Sequence, residues 1–188
     1  MNIGIMCSSS NELNIGTIYN NVNIATSLAS RGYDFVMGAS ENGLMGNVKD
    51  VFKEEGHLLT AVGLKSKNEL DESQADIKIE VDTPGERTAK LYEMSDAIIF
   101  LSGGIGTASE FYTMLTTKIE LNDQKPLIIY NGDDECNYDY ILKDLEAKSK
   151  AGSVSKHYKV YFDVARNEEE LLGLLDKYEQ KYEKGKSL

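Results

Sequence analysis

Short, nearly continuous apolar runs alternate along this chain with stretches of helical periodicity. The runs are Ile3–Cys7, Asp34–Met37, Leu58–Val62, Ile77–Val81, Ala97–Leu101, Leu127–Tyr130 and Val160–Phe162. Rich in Val, Ile and Leu, they read as strands covered on both faces. Between most of them, amphipathic patterns predict helices over Ile15–Arg31, Leu44–Glu55, Pro84–Ser95, Ile105–Leu121, Tyr138–Lys150 and Glu168–Tyr182. Strand–helix alternation of this kind predicts an α/β fold, a mainly parallel sheet with helices on both faces.

Punctuation residues support these boundaries. Gly32 stands where a glycine closes a helix. Thr83-Pro84-Gly85-Glu86 supplies an N-cap, a proline at the first helical position and a capping-box glutamate. Leu64–Asp76 is the least patterned stretch and reads as a surface loop near a ligand. Lys181–Leu188 reads as a frayed tail. Without repeats or a composition break, residues 1–188 read as one domain, a length that buries a sizeable core without staples.

Composition narrows the partners. Hydrophobic residues make up 41% and charged residues 27%, and the net charge is −11. An acidic chain repels polynucleotides and anionic membranes, so phosphate must be met by a local pocket. The expected partner is a small phosphorylated molecule, neither nucleic acid nor membrane. No apolar stretch approaches the roughly 20 residues of a membrane span, and the first residues lack a basic, then apolar, leader pattern. The expected location is the cytoplasm. Cys7 and Cys136 lack CxxC spacing, and Cys7 reads as a small buried apolar residue. His57 and His157 show no partner pattern, and no metal constellation is visible.

Candidate chemistry gathers at strand ends, where open parallel sheets bind ligands. Three loops there are rich in Gly or Ser: Ser8–Asn11, Gly38–Gly46 and Ser102–Thr107. In the third, glycines allow close backbone approach, and the following helix aims free N–H groups and its positive end at an anion. Thr107 adds a hydroxyl, and Glu110 follows within the first turns. A Walker loop would need Gly-Lys-Ser/Thr, absent from GGIGTAS. A dinucleotide fingerprint would need a third glycine where Ser109 stands, and Asp133 and Asp134 lie too far on for its ribose acid. By periodicity alone Arg87 sits on a charged, solvated helix face.

Taken together, Arg87, Ser95-Asp96-Ala97 and Ser102-Gly103-Gly104-Ile105-Gly106-Thr107-Ala108-Ser109-Glu110 resemble the RKxxM, DAF and PGGxGTxxE signature of the LOG (Lonely Guy) family. Cys7–Ser10, Gly43–Gly46, Gln124–Pro126 and Asn137–Leu142 extend the resemblance over roughly residues 3–162. It implies a Rossmann-like, doubly wound homodimer that needs no cofactor. The implied activity is phosphoribohydrolysis, the cleavage of a nucleoside 5′-monophosphate to free base and ribose 5-phosphate. A non-catalytic nucleotide sensor and a (deoxy)ribosyl transferase are the alternatives. The decarboxylase label attached to relatives would need a marked pyridoxal-phosphate lysine, which this sequence does not show. By position, Arg87 and Glu110 match the catalytic pair, and Gly103, Gly104, Gly106 and Thr107 the phosphate turn. Ser8, Asn42 and Met45 are candidates for the wall around sugar and base. Ser102, Thr88, Leu91, Ser109 and Ala39 depart from the family pattern.

Overall fold

The computed structural model describes residues 1–71, 73–132 and 137–186, without the side chains of 182–186. Asp133, Asp134 and Cys136 lie outside the described residues. Seven strands form one sheet: β1 (Asn2–Met6), β2 (Asp34–Gly38), β3 (Leu59–Leu64), β4 (Ile77–Val81), β5 (Ala97–Phe100), β6 (Leu127–Tyr130) and β7 (Asp163–Ala165). Their order is β4-β3-β2-β1-β5-β6-β7, and every pairing is parallel. The expected mainly parallel sheet is thus parallel throughout.

Helices α1 (Ile15–Ala29), α2 (Gly43–Glu54) and α6 (Glu168–Lys186) cover one face. Helices α3 (Pro84–Met94), α4 (Ile105–Leu121) and α5 (Asp139–Lys150) cover the other. Alternate residues of each strand feed the two layers. Ile3 and Ile5 of β1 pack under α1 and α2, whereas Ile98 and Phe100 of β5 pack under α4. This period of two in a fully covered sheet explains why the strands read as continuous apolar runs. Crossovers run outward from β1 in one direction and from β5 in the other, so the winding reverses between those two strands. That point is where an open sheet leaves a crevice beyond its carboxyl ends.

Local chemistry sets the helix starts. The Thr83 hydroxyl accepts from the Glu86 N–H at 3.2 Å, and the Glu86 carboxylate accepts from the Thr83 N–H, completing the expected capping box. Asn14 caps α1 by accepting from the Thr17 N–H at 2.7 Å. Two expectations need correction. The Val160–Phe162 run is not a strand: Tyr158–Val160 form a 3-10 turn with Val160 exposed, and the last strand begins at Asp163. Phe162 supplies the apolar signal by packing edge-on against Phe111 rather than by pairing. Helix α6 also continues to Lys186, beyond the expected end at Tyr182.

Candidate active site

A cleft of about 280 Å³ opens at the winding reversal. Its floor and walls come from the loops after β1, β2 and β5, and from the first turns of α3 and α4. Backbone hydrogen bonds lace those loops together. Ser8 N–H donates to the Ser102 carbonyl at 3.0 Å, and Met45 N–H donates to the Ser8 carbonyl at 2.9 Å. Gly43 N–H donates to Asn11 Oδ1 at 2.8 Å. Gly43 holds φ +59°, and a Cβ there would stand 2.3 Å from the Ser10 carbonyl oxygen, so only glycine joins the loops this closely.

The α4 terminus forms the anion-facing end. Gly104 caps it without a side chain, leaving the first-turn N–H groups to face the cleft. Gly104, Gly106 and Thr107 line the cleft. Gly103 does not; it seats Thr107, because a Cβ at residue 103 would lie 2.2 Å from Thr107 Oγ1. Gly104 and Gly106 have open space where a Cβ would stand, so their backbone is accessible to a ligand.

Glu110 lies one turn further along α4, half-buried and lining the cleft. Burial raises its carboxyl from 4.5 to about 7, and the nearby Arg87 guanidinium offsets only part of that shift. Desolvation therefore dominates over charge attraction. Arg87 reaches the cleft from the first turn of α3. Its Nη1 lies 3.7 Å from Glu69 Oε2, and its Nε is buried with no hydrogen-bond partner among the described residues. Buried donors are usually paired.

Glu69 and Lys67, in the stretch after β3, also line this cleft. Glu69 accepts from the Leu64 N–H at 3.2 Å and stands 3.5 Å from Lys67 Nζ, so one carboxylate ties the loop, the lysine and Arg87. The stretch expected to be a surface loop thus reaches the cleft through Lys67 and Glu69, although the sequence did not single out Glu69. Lys49 of α2 was equally unmarked. It is buried, donates to the Ser40 carbonyl at 2.8 Å and to Glu41 Oε1 at 3.1 Å, and fixes the loop after β2. Burial lowers its ammonium pKa. Cys7 is part of the cleft floor, and burial and Glu110 together keep its thiol protonated.

Of the residues singled out from sequence, Ser8, Met45, Arg87, Gly104, Gly106, Thr107 and Glu110 meet in this cleft. Asn42 does not; it caps α2 and lines a neighbouring lobe with Ser40, Glu41 and Asp71. The departures from the family pattern mostly fall away from the cleft. Leu91 is core, Thr88 turns its hydroxyl back to the Pro84 carbonyl, and Ser109 points to solvent. Among the described residues, no cluster of His, Cys, Asp and Glu could hold a metal ion, and no helix is long and apolar enough to cross a membrane.

Known proteins share this chain's family and fold. A family model described as "Possible lysine decarboxylase" matches residues 37–175. A cytokinin riboside 5′-monophosphate phosphoribohydrolase of Arabidopsis thaliana is 30% identical over 163 residues, covering 85% of this chain and 75% of its own. A rice (Oryza sativa subsp. japonica) protein of the same name is 28% identical over 167 residues, covering 87% and 68%. Among solved structures, the molybdenum cofactor carrier protein of Chlamydomonas reinhardtii superposes with a TM-score of 0.67 at 17% identity, covering 94% of this chain and 96% of its own. The molybdenum cofactor binding protein of Rippkaea orientalis gives 0.64 at 21% identity, covering 94% and 95%. At such identities these two establish the shared fold.

Proposed function

The chain belongs to the LOG (Lonely Guy) family, and from that premise we propose that it hydrolyses the N-glycosidic bond of a nucleoside 5′-monophosphate. The observation carrying this reading is the placement of Glu110, Arg87 and the α4 N-terminus around one cleft. The relatives' names give the reaction type, and the cleft contains the groups such a reaction requires.

The α4 N–H groups and Thr107 hold the 5′-phosphate, which fixes the sugar against Glu110. The C1′–N bond breaks with its electron pair leaving on the base, and positive charge builds on the ribose. Ionised Glu110 stabilises that charge. Water adds its oxygen to C1′, and its released proton ends on the departing base. A carboxyl with a pKa of about 7 exchanges that proton readily near neutrality. Arg87 uses its terminal guanidinium donors on the phosphate or the ribose hydroxyls.

The test is base release from a panel of nucleoside 5′-monophosphates, followed by chromatography, with Glu110→Gln alongside. Release that disappears in the variant supports the hydrolase. Binding without release from any of them would overturn it in favour of a nucleotide-binding protein of the same fold. Appearance of ribose on an added second base would indicate transfer instead.

A further inference from the structure

The cleft does not end at Glu69. Past Ala39, Ser40, Lys67 and Glu69, which line both spaces, it continues into a lobe of about 680 Å³. The lobe adds Glu41, Asn42, Asn68 and Asp71. Its position follows from strand order. β5, β1, β2 and β3 stand side by side, so three steps of about 4.8 Å separate the loop after β5 from the loop after β3, roughly 14 Å in all. With phosphate at α4 and sugar beside Glu110, as in the proposed function, this lobe is the space open to the base on the β2 and β3 side of the cleft.

The lobe's chemistry then selects the base. Among the described residues, its only purely hydrocarbon side chain is the methyl group of Ala39. The rest are carboxylates, amides, a hydroxyl and one ammonium. Carboxylates and amide oxygens accept hydrogen bonds from exocyclic amines and ring N–H groups. A hydrocarbon extension placed there would displace water from these groups without giving them partners, which is unfavourable. Met45 and Cys7 line the cleft but not the lobe, and they offer apolar contact to the face of a ring.

We infer that this protein selects a base bearing an unsubstituted exocyclic amine over one whose amine carries an isoprenoid chain. The inference rests on the proposed nucleotide reading and separates this chain from the cytokinin substrates named for its relatives.

Two readouts keep that inference distinct from the hydrolase reading. Calorimetry on Glu110→Gln compares the Kd of adenosine 5′-monophosphate with that of its N6-isopentenyl derivative, and base release from the native protein compares kcat/KM. At least tenfold preference for the unsubstituted nucleotide is expected in both. Asn42→Leu, which places a hydrocarbon in the lobe without removing a cap hydrogen bond, should shrink the preference several-fold. Equal or tighter binding of the isopentenyl compound, binding of neither, or a ratio unmoved by Asn42→Leu would overturn the inference. A tenfold binding preference with no base release from either would instead remove the hydrolase reading and leave this selectivity standing.

Discussion

Asn21 of α1 grips Ser102 at two points. Ser102 N–H donates to Asn21 Oδ1 at 3.0 Å, and Asn21 Nδ2 donates to Ser102 Oγ at 2.9 Å. Both residues are buried, and the same amide also donates to the Thr17 carbonyl at 2.8 Å. Ser102 stands where the family signature has proline, which has neither an N–H nor a hydroxyl. The departure is therefore matched by a polar partner inside the fold, and it leaves the loop before α4 anchored.

That pairing predicts a coupling. Asn21→Leu removes both hydrogen bonds to Ser102 in a dry environment and should cost about 1–3 kcal/mol. Ser102→Pro alone should be similarly harmful, because it strips Asn21 of two partners. The double variant Asn21→Leu/Ser102→Pro should recover part of the loss. Urea unfolding of the four proteins measures the coupling directly. Strict additivity would mean that Asn21 is not what accommodates serine here.

The glycines of the α4 loop should divide into two kinds. Gly103→Ala would push a methyl group against Thr107, 2.2 Å from its hydroxyl in the present packing, and should destabilise by about 1–3 kcal/mol. Gly106→Ala meets nothing within 4 Å and should leave the melting temperature within a degree or two while weakening nucleotide binding. Thermal melts with and without adenosine 5′-monophosphate separate the two effects. A Gly106→Ala protein that binds normally would show that ligands do not approach that backbone.

These positions also mark what a sequence can reveal. The SGGIGTASE segment was legible because its chemistry is local: strand, glycines, helix and carboxylate follow one another. The seventh strand was not. Val160-Tyr161-Phe162 carries the apolar signal, whereas Asp163-Val164-Ala165 does the pairing, since a three-residue edge strand with a polar start has no periodicity to detect. Glu69 was hidden for another reason. Its nearness to Arg87 depends on how residues 65–76 cross from β3 to β4, a path with no repeating pattern. Lys49 follows Val48 on the buried side of α2, where periodicity anticipates an apolar residue. Asn42 lies in the lobe beside the cleft rather than with Ser8 and Met45, a difference set by the turn into α2.

Glu69 should behave as a positioning residue for Arg87. Glu69→Gln keeps the size but weakens the hold on the guanidinium, so kcat for base release should fall about tenfold with KM nearly unchanged. Arg87→Ala should cost more, on the order of 10²- to 10³-fold in kcat/KM, because it removes the charge itself. Glu69→Asp should restore part of the Glu69→Gln loss if the ion pair matters. Equal losses in the aspartate and glutamine variants, accompanied by a drop in melting temperature, would assign Glu69 to loop stability alone.

The pH response of Glu110 has two signatures with opposite signs. Its carboxyl titrates near 7 in the folded protein against an ordinary 4.5, so between those values the folded state binds more protons than the unfolded one. Stability therefore falls as pH rises across that window and levels off above 7. Activity should move the other way. If the ionised carboxylate stabilises the ribosyl cation, kcat/KM climbs along a limb with a midpoint near 7. A bound phosphate dianion adds a like charge close to Glu110 and raises its pKa again. The limb in kcat, which reports the complex, should then lie at higher pH than the limb in kcat/KM. Glu110→Gln should flatten the stability slope as well as abolish turnover. Activity that falls through 7 would make the carboxyl a proton donor to the leaving base rather than a charge stabiliser, and a limb that rises near 4.5 instead would show that burial does not raise its pKa.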